Sequence, residues 1–267
     1  MPQSTPIQFS VFTKPWRMPL PELGRHVRGL GFTGVELPVR PGFQVEPGRV
    51  ARGLPAAGRL LADFGLTITS VAGPTDEATI AACAEAGVPL LRIMIPIGDE
   101  GYLATEARAL RELEALVPLL ERYGVKVGIQ NHCDRFVPHA LGLRRLFERF
   151  DPAHIGAVWD AAHNALNGEG PELAIEIVWS HLALVNLKNA LWRREPGPED
   201  APARWGVSWT TGRQGLASWP RVAAELIRRG YAGGVCLTAE YDDESAVDCL
   251  VAEDLAFARS LFAEARP

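Results

Sequence analysis

The chain has 267 residues, 47% hydrophobic and 22% charged, which is the make-up of an ordinary globular protein. Its 27 Lys+Arg against 32 Asp+Glu leave a net charge of −5 with no basic run, which argues against a nucleic-acid partner. No apolar run reaches the roughly 18 residues of a membrane span, and the opening MPQSTPIQFS lacks the charged start and apolar segment of a secretory leader. Cys83, Cys133, Cys236 and Cys249 form no CxxC pair and read as free thiols of a cytoplasmic protein. Three of them sit in apolar or helical contexts and read as small buried hydrophobes. Cys133 stands at a strand end, with no neighbour that marks a depressed thiol pKa.

In chain order, an apolar strand over 7–13 is followed by a helix over 19–32, with Pro near its start and Gly near its end. A strand over 34–39 leads to a helix within 46–65, interrupted at Gly53-Leu54-Pro55. A strand over 66–73 precedes a helix over 75–88, with Thr75 as the N-cap candidate. A strand over 89–97 comes next, then a long amphipathic helix over 102–124, where Pro118 predicts a kink or break. Strands over 125–131, 155–160, 182–189 and 235–241 complete the set, with helical patterns over 136–150, 171–180, 218–231 and 245–262. Several strands are continuously apolar, as expected when both faces are buried. Eight strands alternating with eight helices predict a (β/α)8 barrel, one domain over 1–267. A doubly wound open sheet fits less well, because no GxGxxG follows the first strand. Residues 191–219 break the pattern as an elaborated loop carrying Trp192, Trp205, Trp209, Trp219, Arg193, Arg194, Arg204 and Arg213. A loop of that length at a barrel mouth reads as a substrate lid or a subunit contact.

In such a barrel the chemistry gathers at the C-terminal ends of the strands. Strand one leads to Lys14. Strand two holds Glu36 and runs to Arg40, and strand four holds Arg92. The fifth ends in Gln130, Asn131 and His132, the sixth in Asp160 with His163 three residues on. The seventh offers Asn186, Lys188 and Asn189, and the last ends in Glu240 and Tyr241. Glu36 reads equally as a partner of Arg40 or Arg92 and as a substrate ligand. Lys188 reads as an ion-pair partner of Glu240 or Asp160, or as an electrostatic catalyst. Buried acids need partners, and one metal ion is able to serve two of them.

The segments GVKVGIQNH, VWDAAH, HLALVNLKN and LTAEY, in that order, resemble the four metal-bearing strand ends of the sugar phosphate isomerase/epimerase superfamily, the xylose isomerase-like barrels. GLGFTGVEL and GYAGGVCLTAEY resemble that superfamily's first-helix-to-second-strand and last-strand segments. The resemblance implies a divalent cation held by Glu, Asp, His and Glu. Asp160, His163 and Glu240 match the pattern. Gln130 stands in place of the strand-five Glu, Asn186 in place of the strand-seven His, and Asn189 in place of an Asp. The implied metal set is therefore Gln130, Asp160, Asn186 and Glu240, an all-oxygen shell suited to Mn²⁺ or Mg²⁺.

An amide has no proton to exchange near neutrality, so Gln130 removes one of the two carboxylates that such epimerases use. The implied roles are then Glu240 as base, His163 holding a substrate oxygen and relaying a proton, His132 as a second catalytic group or a backbone-bonded support, and Lys188 stabilising an enediolate. Glu36, Arg40, Arg92, Trp192 and Arg213 are the candidate substrate-binding residues. The expected activity is a metal-assisted isomerase or epimerase that removes a proton beside the carbonyl of a sugar or keto-sugar, and the expected small-molecule partner is a sugar or polyol. A lyase or dehydratase acting on an oxidised sugar or cyclitol is the alternative, as is a sugar-binding barrel without turnover. A DNA-repair endonuclease, which shares this fold, suits the acidic charge least. The expected partner is a small carbohydrate, with no nucleic acid and no membrane, and a homo-oligomer is compatible with the sequence.

Overall fold

The computed structural model describes residues 7–199 and 201–264. Eight parallel strands close into a barrel. They are β1 (Gln8–Phe12), β2 (Gly34–Pro38), β3 (Thr67–Ala72), β4 (Leu90–Ile93), β5 (Lys126–Gln130), β6 (Ile155–Asp160), β7 (Leu182–Leu187) and β10 (Gly234–Leu237). The ring order is β1-β10-β7-β6-β5-β4-β3-β2, so each strand pairs with its sequence neighbours and the last barrel strand closes on the first. Helices α1 (Leu20–Gly29), α2 (Val50–Ala62), α3 (Glu77–Glu85), α4 (Tyr102–Tyr123), α5 (Ala140–Phe147), α7 (Pro171–Val178), α8 (Trp219–Arg228) and α9 (Val247–Glu264) lie between and after the strands. Outward-facing strand residues join them in one large apolar cluster. A smaller cluster of Phe12, Ala72, Leu90, Val158, Leu184 and Cys236 fills the barrel itself. No helix among the described residues is long and apolar enough to cross a membrane.

Local chemistry accounts for the differences from the sequence reading. Asp76, not Thr75, caps α3, its carboxylate accepting from the Thr79 N–H at 3.0 Å. Helix α2 runs unbroken through Pro55. The ring removes one bond to Ala51, and the buried face of Val50, Leu54, Ala57 and Leu61 holds the helix together. Helix α4 likewise continues past Pro118 and stops at Gly124, whose φ of 64° suits a residue without a Cβ. A short extra helix, α6 (Ala161–Leu166), follows β6 directly, with Asp160 as its cap.

The long break after β7 is an antiparallel hairpin for much of its length, β8 (Asn189–Arg194) with β9 (Trp205–Thr210). One residue, Lys188, separates β7 from β8. The Asn189 amide fixes the hairpin base. It donates to the carbonyls of Gly212 and Ala217, both at 2.9 Å, and accepts from the Ala190 N–H at 3.0 Å and the Ala217 N–H at 2.9 Å. Trp219, wholly buried at the start of α8, donates its indole N–H to the Lys188 carbonyl at 3.1 Å.

Two features of the barrel interior generate stability predictions. A Cβ at Gly128 would stand 2.7 Å from Val158 Cγ2 and 3.0 Å from Leu90 Cδ1. Gly128→Val is therefore expected to lower the unfolding free energy by about 1–3 kcal/mol in urea titrations. The second feature is the Glu36–Arg92 ion pair, whose side chains are 0% and 5% exposed. Arg92→Met leaves a buried carboxylate unpaired and is expected to cost about 3–5 kcal/mol. Adding Glu36→Gln should restore most of that loss, read by the same titration.

Candidate active site

The strand ends carry a chain of polar contacts around the mouth. Arg92 on β4 reaches over to Glu36 on β2, donating through Nε, and to Gln130 on β5, donating through Nη1. Gln130 in turn donates Nε2 to Asp160 Oδ2 at 2.8 Å. The amide is fixed in this sense because guanidinium only donates and carboxylate only accepts. Asp160 Oδ1 accepts from the N–H groups of Ala162 and His163, at 3.0 and 3.1 Å, capping α6. Asn131 clamps the same strand end, accepting from the Asp160 N–H at 2.7 Å and donating to its carbonyl at 3.1 Å. Burial pushes the Asp160 carboxyl up from its ordinary value, opposed by Lys188 and the α6 amides.

A second group lies across the mouth. Glu240 receives Lys188 Nζ at 2.6 Å and Lys14 Nζ at 2.7 Å, one ammonium on each oxygen. Burial opposes its ionisation, but the two lysines outweigh burial and hold its pKa at about 2. Glu240 follows Ala239, whose φ of 51° is rare for a residue with a Cβ. This turn ends β10 at Leu237. Lys188 Nζ also stands 4.1 Å above the Trp209 ring of β9. The Trp209 backbone is tied down by Asp242, which accepts from its N–H at 2.9 Å.

Between these groups sit two imidazoles with centroids 3.8 Å apart. His163 Nδ1 accepts from the Cys133 N–H at 3.2 Å, so the ring proton is on Nε2, a buried donor without a protein partner. Burial holds His163 well below its usual pKa, reinforced by Lys188, His132 and Arg92. His132 Nδ1 lies 2.8 Å from the Cys133 carbonyl, which only accepts. Nδ1 therefore carries the proton, and Nε2 of the neutral ring is left with a lone pair. Burial lowers the His132 pKa too, partly offset by that backbone bond.

The expected metal set does not fit a divalent cation in this arrangement. Gln130 Oε1 is taken by Arg92, both Asp160 oxygens are bonded, and both Glu240 oxygens hold ammonium groups. Only Asn186 keeps its side-chain oxygen and nitrogen buried and unpartnered. The positive charge that a metal would bring is already present as Arg92 and Lys188. His132, Cys133 and His163 do offer three ligand atoms within 4.8 Å of one another. Burial, however, pushes the Cys133 thiol up to about 12, and His163 Nδ1 already accepts a backbone hydrogen bond.

The structure thus gathers Glu36, Arg92, Gln130, His132, Asp160, His163, Asn186, Lys188 and Glu240 at the strand ends. Arg40 also faces the mouth, its guanidinium carbon 5.7 Å from the Phe12 ring centroid, without a bond to Glu36. The other two expected binders lie apart. Arg213 stacks at 3.7 Å on Phe257 of α9, and Trp192 donates its indole N–H to the Leu166 carbonyl at 2.9 Å with 41% of its surface exposed. Lys14, seen in the sequence only as a polar residue after strand one, belongs to the site through Glu240. Trp209 belongs to it through Lys188 and through its edge-on contact with His163, at 5.4 Å.

Comparisons with known proteins agree with this architecture. No curated protein shows a significant sequence match to the chain. Among solved structures, an L-ribulose 3-epimerase superposes with a TM-score of 0.75 at 14% identity, covering 98% of this chain and 96% of its own. The D-psicose 3-epimerase of Clostridium cellulolyticum H10 gives 0.72 at 14% identity, covering 96% and 99%. A probable 3-DHS dehydratase from Bacillus anthracis gives 0.69 at 14% identity, covering 95% and 99%. At such identities the likeness is one of fold. The sequence profile of the xylose isomerase-like TIM barrel matches residues 25–261. With that match spanning most of its length, the chain belongs to the xylose isomerase-like TIM barrel family.

Proposed function

We propose that this barrel removes a proton from the carbon beside a carbonyl of a carbohydrate, working as an isomerase or a lyase without a resident metal. One observation carries the reading: a neutral imidazole acceptor, His132 Nε2, shares the mouth with an unpartnered imidazole donor, His163 Nε2, and with the Lys188 ammonium. His132 takes the proton, the C–H pair becomes the C=C of an enediolate, and the negative charge settles on the former carbonyl oxygen. Lys188 and the His163 N–H stabilise that oxygen. Isomerisation follows when the hydroxyl proton passes to that oxygen and the abstracted proton returns to the former carbonyl carbon, and expelling hydroxide from the next carbon, protonated as it leaves, gives dehydration.

The expected base, Glu240, is a weak one at a pKa of about 2 with an ammonium on each oxygen. Its role here is to hold Lys188 and Lys14 in place. A single proton acceptor on one side of the substrate suits isomerisation or elimination better than epimerisation, which needs a donor on the opposite face. The epimerase and dehydratase names of the structural neighbours support carbohydrate chemistry of this kind. Of the four ligands that the family resemblance implies for Mn²⁺ or Mg²⁺, only Asn186 keeps its side chain unpartnered.

The test is solvent deuterium incorporation, followed by NMR across keto-sugars and sugar acids. Exchange is expected to survive dialysis against EDTA, and elemental analysis to find less than stoichiometric metal. His132→Gln is expected to slow exchange about 10²- to 10⁴-fold, and Lys188→Met about 10²- to 10³-fold. Exchange that stops with EDTA and returns with Mn²⁺ restores the metal-assisted mechanism. Tight binding without exchange on any compound makes this a sugar-binding barrel.

A further inference from the structure

Lys14, Arg17, Arg40, Arg92 and Lys188 gather at the mouth with Glu36, Asp160, Glu240 and Glu244, in a chain of net charge −5. Glu36 is paired with Arg92 through Oε1, with its Oε2 buried and unpartnered, Glu240 is paired with two lysines, and Asp160 bonds Gln130 and the α6 amides. Arg17 is half spoken for, donating to the Gly42 carbonyl at 3.0 Å and stacking on Phe43 at 3.5 Å.

Arg40 is different. Among the described residues no carboxylate lies within ion-pair distance of its guanidinium, and its side chain makes no hydrogen bond there. It shares the Phe12 ring with Arg92, the two guanidinium carbons standing 5.7 and 4.9 Å from the ring centroid. Both arginines line a cavity of about 720 Å³ beyond the ends of β2, β3 and β4. Two acids also line it, and each is engaged: Asp76 caps α3, and Glu112 pairs with Arg108. Burial and the neighbouring Arg92 charge both press on the Arg40 cation, while Glu36 and Glu240 act only at a distance. A half-buried guanidinium with its donors open and a like charge beside it is a receptor for an anion.

We infer that the substrate is an anionic carbohydrate, and that Arg40 grips its acidic group in the cavity while the reacting carbonyl lies between His132 and Lys188. The assignment builds on the reading above that the mouth takes a carbohydrate. The flat guanidinium fork matches a sugar carboxylate best, and a phosphate ester presents the same oxyanion chemistry.

Glucose, glucuronate and glucose 6-phosphate share one skeleton and differ at a single carbon, which makes them the probes. Calorimetric titration is expected to show one or both acids binding at least about tenfold more tightly than glucose, with the preference falling as NaCl rises. The tighter acid identifies the anion as carboxylate or phosphate. Arg40→Gln is expected to collapse the acid-over-neutral ratio by about tenfold or more, and Arg40→Lys to retain part of it, because the charge stays and the fork is lost. If Arg40→Gln does not fold, Arg40→Lys and the salt dependence of the unaltered protein decide the matter. Equal affinity for all three probes, binding of none, or a ratio unchanged by Arg40→Gln overturns the inference. These titrations do not depend on turnover. An acid preference without deuterium exchange therefore strikes the proposed function alone, and exchange without an acid preference strikes only the anion site.

Discussion

The site depends on one side chain that accepts at one end and donates at the other. Gln130 stands between a cation, Arg92, and an anion, Asp160, and bonds to both at once. A glutamate there would face Asp160 with a second negative charge, and only an added cation would keep the two together. An aliphatic residue would leave Arg92 and Asp160 buried with unmet bonding capacity. The amide is the neutral group of that size which satisfies both neighbours, so the strand-five substitution is better described as the keystone of a different charge arrangement than as a lost ligand.

That arrangement is built from protein cations. In a metal-centred barrel the acids converge on an ion. Here Arg92 neutralises Glu36, and Lys188 with Lys14 neutralises Glu240. In the proposed reaction the electrophile is covalently part of the chain, with its orientation set by packing: Lys188 is flanked by Trp209, and its carbonyl receives the Trp219 indole. Preorganised charge of this kind needs no reorganisation when negative charge develops on a substrate oxygen.

Much of the fold was legible in the sequence because continuous apolar runs mark strands buried on both faces, and their spacing leaves room for one helix between each pair. The missed details came from tertiary packing and local caps. Gly53-Leu54-Pro55 read as an interruption and Pro118 as a kink or break, yet both prolines sit inside helices that continue past them. The hairpin of β8 and β9 escaped notice because its partly exposed strands, rich in Trp and Arg, lack a clean apolar run. At the site, strand-end position alone found Glu36, Arg92, Gln130, Asp160, Lys188 and Glu240. It did not separate supports from working groups, since the partners of Lys14 and Asn131 come from distant segments. Trp192 and Arg213 were drawn in by composition, and three-dimensional packing sends them to α6 and α9.

The hairpin is joined to the barrel through Lys188 alone on one side, and its base is stitched by the Asn189 amide. Its tip projects away from that stitching. A change of length or composition at the far end of the ribbon therefore leaves the bonds of Asn189, and with them the place of the Lys188 ammonium, untouched.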